Sequence, residues 1–158
     1  MKTLVDAIMG RRVTLGRVVT LRLAARNDIR VVEQVVREVM RFLDDQARPS
    51  DDWQLRFALC LRETVYNAVM HGNQNRRDAA VDIEAQWHPD ARRAVLIVRD
   101  GGRGFDWKAA LESERTQGAD RVRGRGLVIL AEMTEQVDVD SGEVRFTLSL
   151  PPPADSPA

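Results

Sequence analysis

Glu63, Asn67 and His71 stand four residues apart in the stretch Glu63-Thr-Val-Tyr-Asn67-Ala-Val-Met-His71-Gly72-Asn73. At about 100° per residue such positions stack along one edge of a helix. A carboxylate, a carboxamide and an imidazole then share a stripe beside the broad apolar arc of Leu55, Leu59, Leu61, Val65 and Val69. Downstream, Asp100-Gly-Gly102-Arg-Gly104-Phe-Asp106 follows an apolar run, and Gly124-Arg125-Gly126 precedes another. Gly102 and Gly104 lack a Cβ, so a flat ring or a phosphate can approach the chain closely. Asp100 at a strand end can accept a hydrogen bond from an exocyclic amine such as that of adenine. Gly124, Arg125 and Gly126 open a helix, where unpaired N–H groups and a partial positive charge suit phosphate. Together the segments describe a nucleotide site.

Each segment taken alone has a plainer reading. A lone Glu-x-x-x-Asn is an ordinary solvated helix edge, His71 a capping or packing histidine, Asp100-Gly a simple turn, and Gly124-Arg125-Gly126 a glycine-rich helix start. His88 reads as a turn residue. The chain has neither a Walker loop nor the glycine fingerprint of dinucleotide-binding folds. The order of the segments is what points to nucleotide.

The elements that must position them follow from periodicity. Val18–Leu23 alternates as a strand. Asn27 or Asp28 caps a helix whose apolar residues recur from Ile29 to Leu43. Pro49-Ser50-Asp51-Asp52 breaks it and caps a second helix, from about Asp52 to Met70, with Gly72 as its terminating glycine. Strands follow near 80–87 and 94–99, joined at His88-Pro89-Asp90. Residues 107–123 read as a polar, lid-sized loop with a short helical patch at 107–111; a loop of that length in a compact domain usually serves function. A last apolar helix runs from Leu127 to Met133, and a hairpin around Ser141-Gly142 closes the sheet. Residues 1–15 read as an unplaced N-terminal extension, 16–150 as one domain, and 151–158 as a disordered tail.

The 158 residues suffice for one core, and 44% hydrophobic with 30% charged residues is a globular composition. The formal net charge of zero argues against direct nucleic-acid binding or membrane-surface attraction. Lys2 and Lys108 are the only lysines, so phosphate contacts would fall to arginine forks, with Arg115, Arg121, Arg123 and Arg125 the candidates and Arg125 preferred. Cys60 is the single cysteine; it excludes an internal disulfide and reads as a small core residue. No apolar run is long enough for a bilayer. Arg11-Arg12 does not make an export signal, because Arg17 and Arg22 interrupt the apolar stretch such a signal needs. A cytoplasmic location is expected.

In this order and spacing the segments resemble the GHKL ATPase superfamily of gyrases, heat-shock chaperones, sensor histidine kinases and mismatch-repair ATPases. Glu63-x-x-x-Asn67 is similar to its N box, Asp100-x-Gly102-x-Gly104 to its G1 box and Gly124-x-Gly126 to its G2 box. The resemblance covers about residues 17–150. Asn67-Ala-Val-Met-His71-Gly72-Asn73 and Gly104-Phe105-Asp106 look most like the small bacterial anti-sigma-factor serine kinases.

The resemblance implies an α+β fold, a two-layer α/β sandwich of the Bergerat type with helices on one face of a mixed, mainly antiparallel sheet. It implies ATP and Mg²⁺ as cofactors. Asn67 would bind magnesium, Glu63 would act as base, and Asp100 would recognise adenine beside Gly102 and Gly104. His71 belongs to the same nucleotide-binding set, and Gly124, Arg125 and Gly126 would close on the phosphates. Thr147 is the one threonine offered for an adenine-side water network. The implied partners are an anti-anti-sigma (STAS-type) protein phosphorylated on serine, a sigma factor, and a second copy of the chain across the first strand. An ATP-gated module that sequesters a partner without phosphoryl transfer is the alternative, and a scaffold that has kept only the fold is a third reading.

Overall fold

The computed structural model describes residues 8–74, 76–117 and 125–152. In chain order these form β1 (Ile8–Leu15), β2 (Val18–Arg26), a 3-10 turn (Ile29–Val31), α1 (Val32–Ala47), α2 (Asp51–Asn67), a π-turn (Ala68–Gly72), β3 (Ala80–His88), β4 (Arg93–Arg99), α3 (Trp107–Thr116), α4 (Gly126–Met133), β5 (Gln136–Asp140) and β6 (Glu143–Ser149). The strands make one six-stranded sheet in the order β1-β2-β3-β4-β6-β5. The sheet, expected to be mixed and mainly antiparallel, is antiparallel at all five described pairings.

Alternation along the strands sets the two layers. Leu21, Ala85, Leu96 and Phe146 are register partners in one row, and all are buried in the core with Val39, Phe57 and Val65 of the helices. Phe57 stacks on Trp53 at 5.0 Å and meets Phe146 at 5.1 Å. The Trp53 indole N–H donates to the Ser149 carbonyl at 2.9 Å. This pins α2, the helix carrying Glu63 and Asn67, across the sheet as a two-layer α/β sandwich.

The opposite face of the sheet is charged. Glu84 pairs with Arg22 at 3.2 Å and with Arg99 at 3.7 Å, and Arg99 pairs with Glu143 at 2.7 Å. Ile97, flanked in register by Glu84 and Arg145, is nevertheless only 2% exposed. Long polar side chains whose stems lie on apolar surface account for such burial without a second layer of helices.

Residues Ile8–Leu15, unplaced from sequence, form the edge strand β1, in register with β2 from Ile8↔Ala25 to Leu15↔Val18. The helical patch expected at 107–111 extends to Thr116. Asp106 caps it, accepting from the Ala109 N–H at 3.0 Å. The second helix begins at Ser50, whose hydroxyl accepts from the Trp53 N–H, and after Asn67 it widens into the π-turn, where the Asn73 N–H donates to the Ala68 carbonyl. Asp28, not Asn27, caps the first helical segment. Residues 118–124 of the expected lid and the tail from 153 onward lie outside the described residues, as do Arg121, Arg123 and Gly124.

A nucleotide-sized cleft as candidate functional site

Helix α2 ends against the loop that leaves β4, and the start of α4 lies beside both. Between them is a cavity of about 900 Å³ lined by Glu63, Asn67, His71, Asp100, Gly102, Gly104 and Gly126. Three sequence segments thus converge on one cleft, of the size typical for small-molecule sites. Its apolar floor comes from Val98, Leu130, Val137 and Val144. Arg125 is exposed at the N-cap of α4, outside the lining. His71 lines the rim with its side chain exposed.

The π-turn explains why the stripe of three does not run straight on. An i→i+5 turn adds a residue to the helical circuit and re-aims the residues after it, a feature common at functional sites. It brings Gly72 against Asp100, where a methyl group would lie 2.0 Å from Oδ2. Gly102 is also crowded: a methyl group there would lie 2.7 Å from the Gly72 carbonyl oxygen. At the other end of the cleft, a methyl group on Gly126 would lie 2.5 Å from Glu63 Oε2. Glycine is thus the residue that lets each carboxylate sit where it does.

The Asp100 loop is fixed from both sides. Its Oδ1 accepts from the Gly102 N–H at 2.7 Å, and its N–H donates to the Gly142 carbonyl at 2.8 Å. Asn73 Oδ1 accepts from the Gly101 N–H at 2.7 Å, while Asn73 Nδ2 donates to Asn27 Oδ1 and to the Ala80 carbonyl. Asn73 is 1% exposed, so a buried amide holds the end of the α2 segment, the start of β3 and the glycine loop in register.

Burial raises Asp100 above its ordinary value, with the Gly102 N–H opposing. Burial, and then the neighbouring Glu114 carboxylate, raise Glu63, with Arg62 opposing. Both acids are therefore kept where charge is costly, as acids and bases of sites often are. Burial pushes the Cys60 thiol up to about 12, which makes it the inert core residue expected. Among the described residues no group of three or more His, Cys, Asp or Glu side chains is arranged to hold a metal; a hard cation here would need oxygens from a ligand as well as from Asn67.

Thr147 does not reach the cleft. It lies on the strand positions of Glu143 and Arg145, opposite to buried Phe146 and Leu148. The threonine that lines the cavity is Thr64, buried, with its hydroxyl donating to the Cys60 carbonyl at 2.7 Å. Sequence reasoning also missed Glu114, which lines the cavity, and the packing roles of Gly72 and of Gly142, where a methyl group would lie 2.8 Å from the Gly102 carbonyl oxygen. Trp107, Ala110, Leu111 and Glu114 follow helical spacing, which is the signal that could have found α3 and the residue at its end.

With Asp100 in the adenine-recognising role that the resemblance gives it, Asp100→Asn is expected to weaken adenine-nucleotide binding by about ten- to a hundredfold, because the neutral amide keeps the Gly102 contact but offers a donor where an exocyclic amine needs an acceptor. The folded protein holds the Asp100 proton more tightly than the unfolded chain does, so stability falls as pH rises through the folded value. Asn carries no such loss, and thermal unfolding at neutral pH should be unchanged or shifted upward. Titration calorimetry and a melting curve check both halves.

A family model described as "Histidine kinase-like ATPase domain" matches residues 25–150. An "Anti-sigma F factor" of Clostridium beijerinckii is 33% identical over 81 residues, covering 50% of this chain and 55% of that protein. The chain therefore spans about half the length of this curated relative.

Proposed function

The chain belongs to the histidine kinase-like ATPase domain family, and on that footing we propose that it is an ATP-dependent serine-protein kinase and anti-sigma factor that phosphorylates an anti-anti-sigma (STAS-type) partner. One observation carries this reading. Glu63 and Asn67 from α2, Asp100 and Gly102 from the loop after β4, and Gly126 from the start of α4 line the same cleft. Gly72 and Gly126, by lacking a Cβ, let the two carboxylates sit in the wall of this cleft. The printed name of the relative, an anti-sigma factor, supports the sigma-factor half of the proposal.

In this reading Asp100 accepts from the adenine amine and the floor of Val98 and Leu130 receives the ring. Asn67 contributes its side-chain oxygen to Mg²⁺, which when bound neutralises phosphate charge and orients the terminal group. Glu63, one turn away, accepts the proton of the partner serine. The serine oxygen forms its bond to the γ-phosphorus as the bond to the β-phosphate oxygen breaks, giving phosphoserine and ADP. The exposed strand β1, at the edge of the sheet, supports pairing with a second copy of the chain.

γ-Labelled ATP, the chain and a candidate partner decide the matter: label on a partner serine supports the kinase. The alternative is an ATP-gated module that sequesters a partner without phosphoryl transfer; partner capture without label would establish that instead. Asn67→Ala is expected to lose at least the ~10–100-fold in affinity that even outer-shell partners of a metal cost. The loss should occur with magnesium present and vanish in chelator, which paired titrations would show.

A further inference from the structure

Helix α4 begins at Gly126, and its first intrahelical bond runs from the Ile129 N–H to the Arg125 carbonyl at 3.0 Å. The amides before it have no partner within the helix. Two of them are taken by a side chain from elsewhere: Glu114 Oε2 accepts from the Leu127 N–H at 3.1 Å and from the Val128 N–H at 3.2 Å. The same turn carries Gly126, where a methyl group would run into Glu63 Oε2, and Gly126, Glu63 and Glu114 all line the cleft. Glu114 comes from α3, a helix that buries little. Leu111 is its buried residue, with Trp107 and Ala110 partly covered. Few apolar contacts mark an element that opens at low cost.

A carboxylate on helix-terminal amides is in the position, and has the charge, of a bound phosphate group. We propose that Glu114 is an internal stand-in for nucleotide phosphate: its carboxylate latches α3 onto the start of α4 in the nucleotide-free protein, and it leaves when a nucleotide's phosphates take the same amides. The proposal rests on the nucleotide-binding reading above and deepens it, because it makes α3 the element that responds to the ligand. An occupied latch lowers the binding-competent fraction and so weakens the observed affinity in proportion. It also satisfies the helix end while no nucleotide is bound.

The test compares the full chain with Glu114→Gln, titrated with ADP in magnesium and with adenosine. The neutral amide makes weaker contacts with the amides, so ADP should bind about three- to tenfold tighter in the variant, while adenosine, which carries no phosphate, should bind equally to both proteins. ADP binding unchanged or weakened in the variant, with a lower melting temperature, overturns the latch and leaves Glu114 a helix cap. Equal tightening for adenosine also overturns it, since the phosphates would then play no part. If neither protein binds ADP, the nucleotide reading falls together with the latch; if both bind it equally, only the latch falls. A second measurement serves should the variant not fold. In the wild-type chain, ADP should speed hydrogen exchange across residues 107–116 while the Leu127 and Val128 amides stay protected, and slower exchange in α3 would count against the proposal.

Discussion

Glu63→Gln is expected to reduce phosphoryl transfer to the partner serine by about 10²–10⁴-fold, the range that a positioned general base contributes, while nucleotide affinity stays within about threefold. The substitution keeps the shape that fits against Gly126 and removes the proton acceptor. It should also stabilise the protein. Burial and Glu114 raise the folded-state value of Glu63, with Arg62 acting the other way. The folded protein therefore binds that proton more tightly than the unfolded chain does. Stability is fully present below the unfolded value of about 4.3 and is lost as pH rises through the folded one. Gln has no such loss, so at neutral pH the variant should melt higher than wild type. Activity has the opposite dependence: kcat/KM should climb with pH as Glu63 loses its proton, along a limb above about 4.3. Lower transfer with higher stability is the signature of a group placed for chemistry rather than for the fold. Retained transfer in the variant would remove Glu63 from the role of base.

How far the residues themselves foretold this differs from one element to the next. Helix α2 was legible because its apolar arc is broad, and because Glu63 and Asn67 share its edge with no competing period. The cleft was legible as three segments in a known order, since family patterns record which residues meet without stating how. Strand β1 was not. Its inward positions include Arg12, whose guanidinium lies 5.5 Å from the Phe42 ring centroid and pairs with Asp45 at 2.9 Å. A polar residue that packs through its stem erases the alternation that marks a strand. Helix α3 was cut short for a similar reason: the fourth member of its stripe is Glu114, a charge where the pattern asks for an apolar residue. The Asn27–Asn73 contact joins residues 46 apart in sequence, and no local signal announces it. The π-turn is likewise invisible to a fixed period, because it consists of a departure from one.

That turn leads to the second large effect, expected from Gly72→Ala. The added methyl group would lie 2.0 Å from Asp100 Oδ2 and 2.2 Å from its Cγ, inside the carboxylate itself. What blocks it is the end of a side chain and not backbone, so the conflict can be relieved by turning Asp100 away. Relief of that kind costs the fold about 1–3 kcal/mol, the usual range for overpacking, but it takes the proposed adenine acceptor out of the cleft and strips the Gly102 N–H of its partner. Nucleotide affinity should fall by at least the ~10–100-fold expected of losing one buried partner, with a cooperative unfolding transition still present. Gly101→Ala is the comparison from the same loop, because a methyl group there meets Asn73 Oδ1 at 3.1 Å and Arg76 Nη2 at 3.5 Å and not the Asp100 carboxylate, so its effect on affinity should be the smaller one. Both Gly72→Ala and Asp100→Asn act through one carboxylate, so their effects on binding should not add: in the Asp100→Asn background the glycine substitution should change affinity far less than it does alone. Full additivity in that cycle, or wild-type affinity in Gly72→Ala, would mean that Gly72 is not there to admit Asp100. The glycine at the end of the π-turn would then be a helix terminator and nothing more.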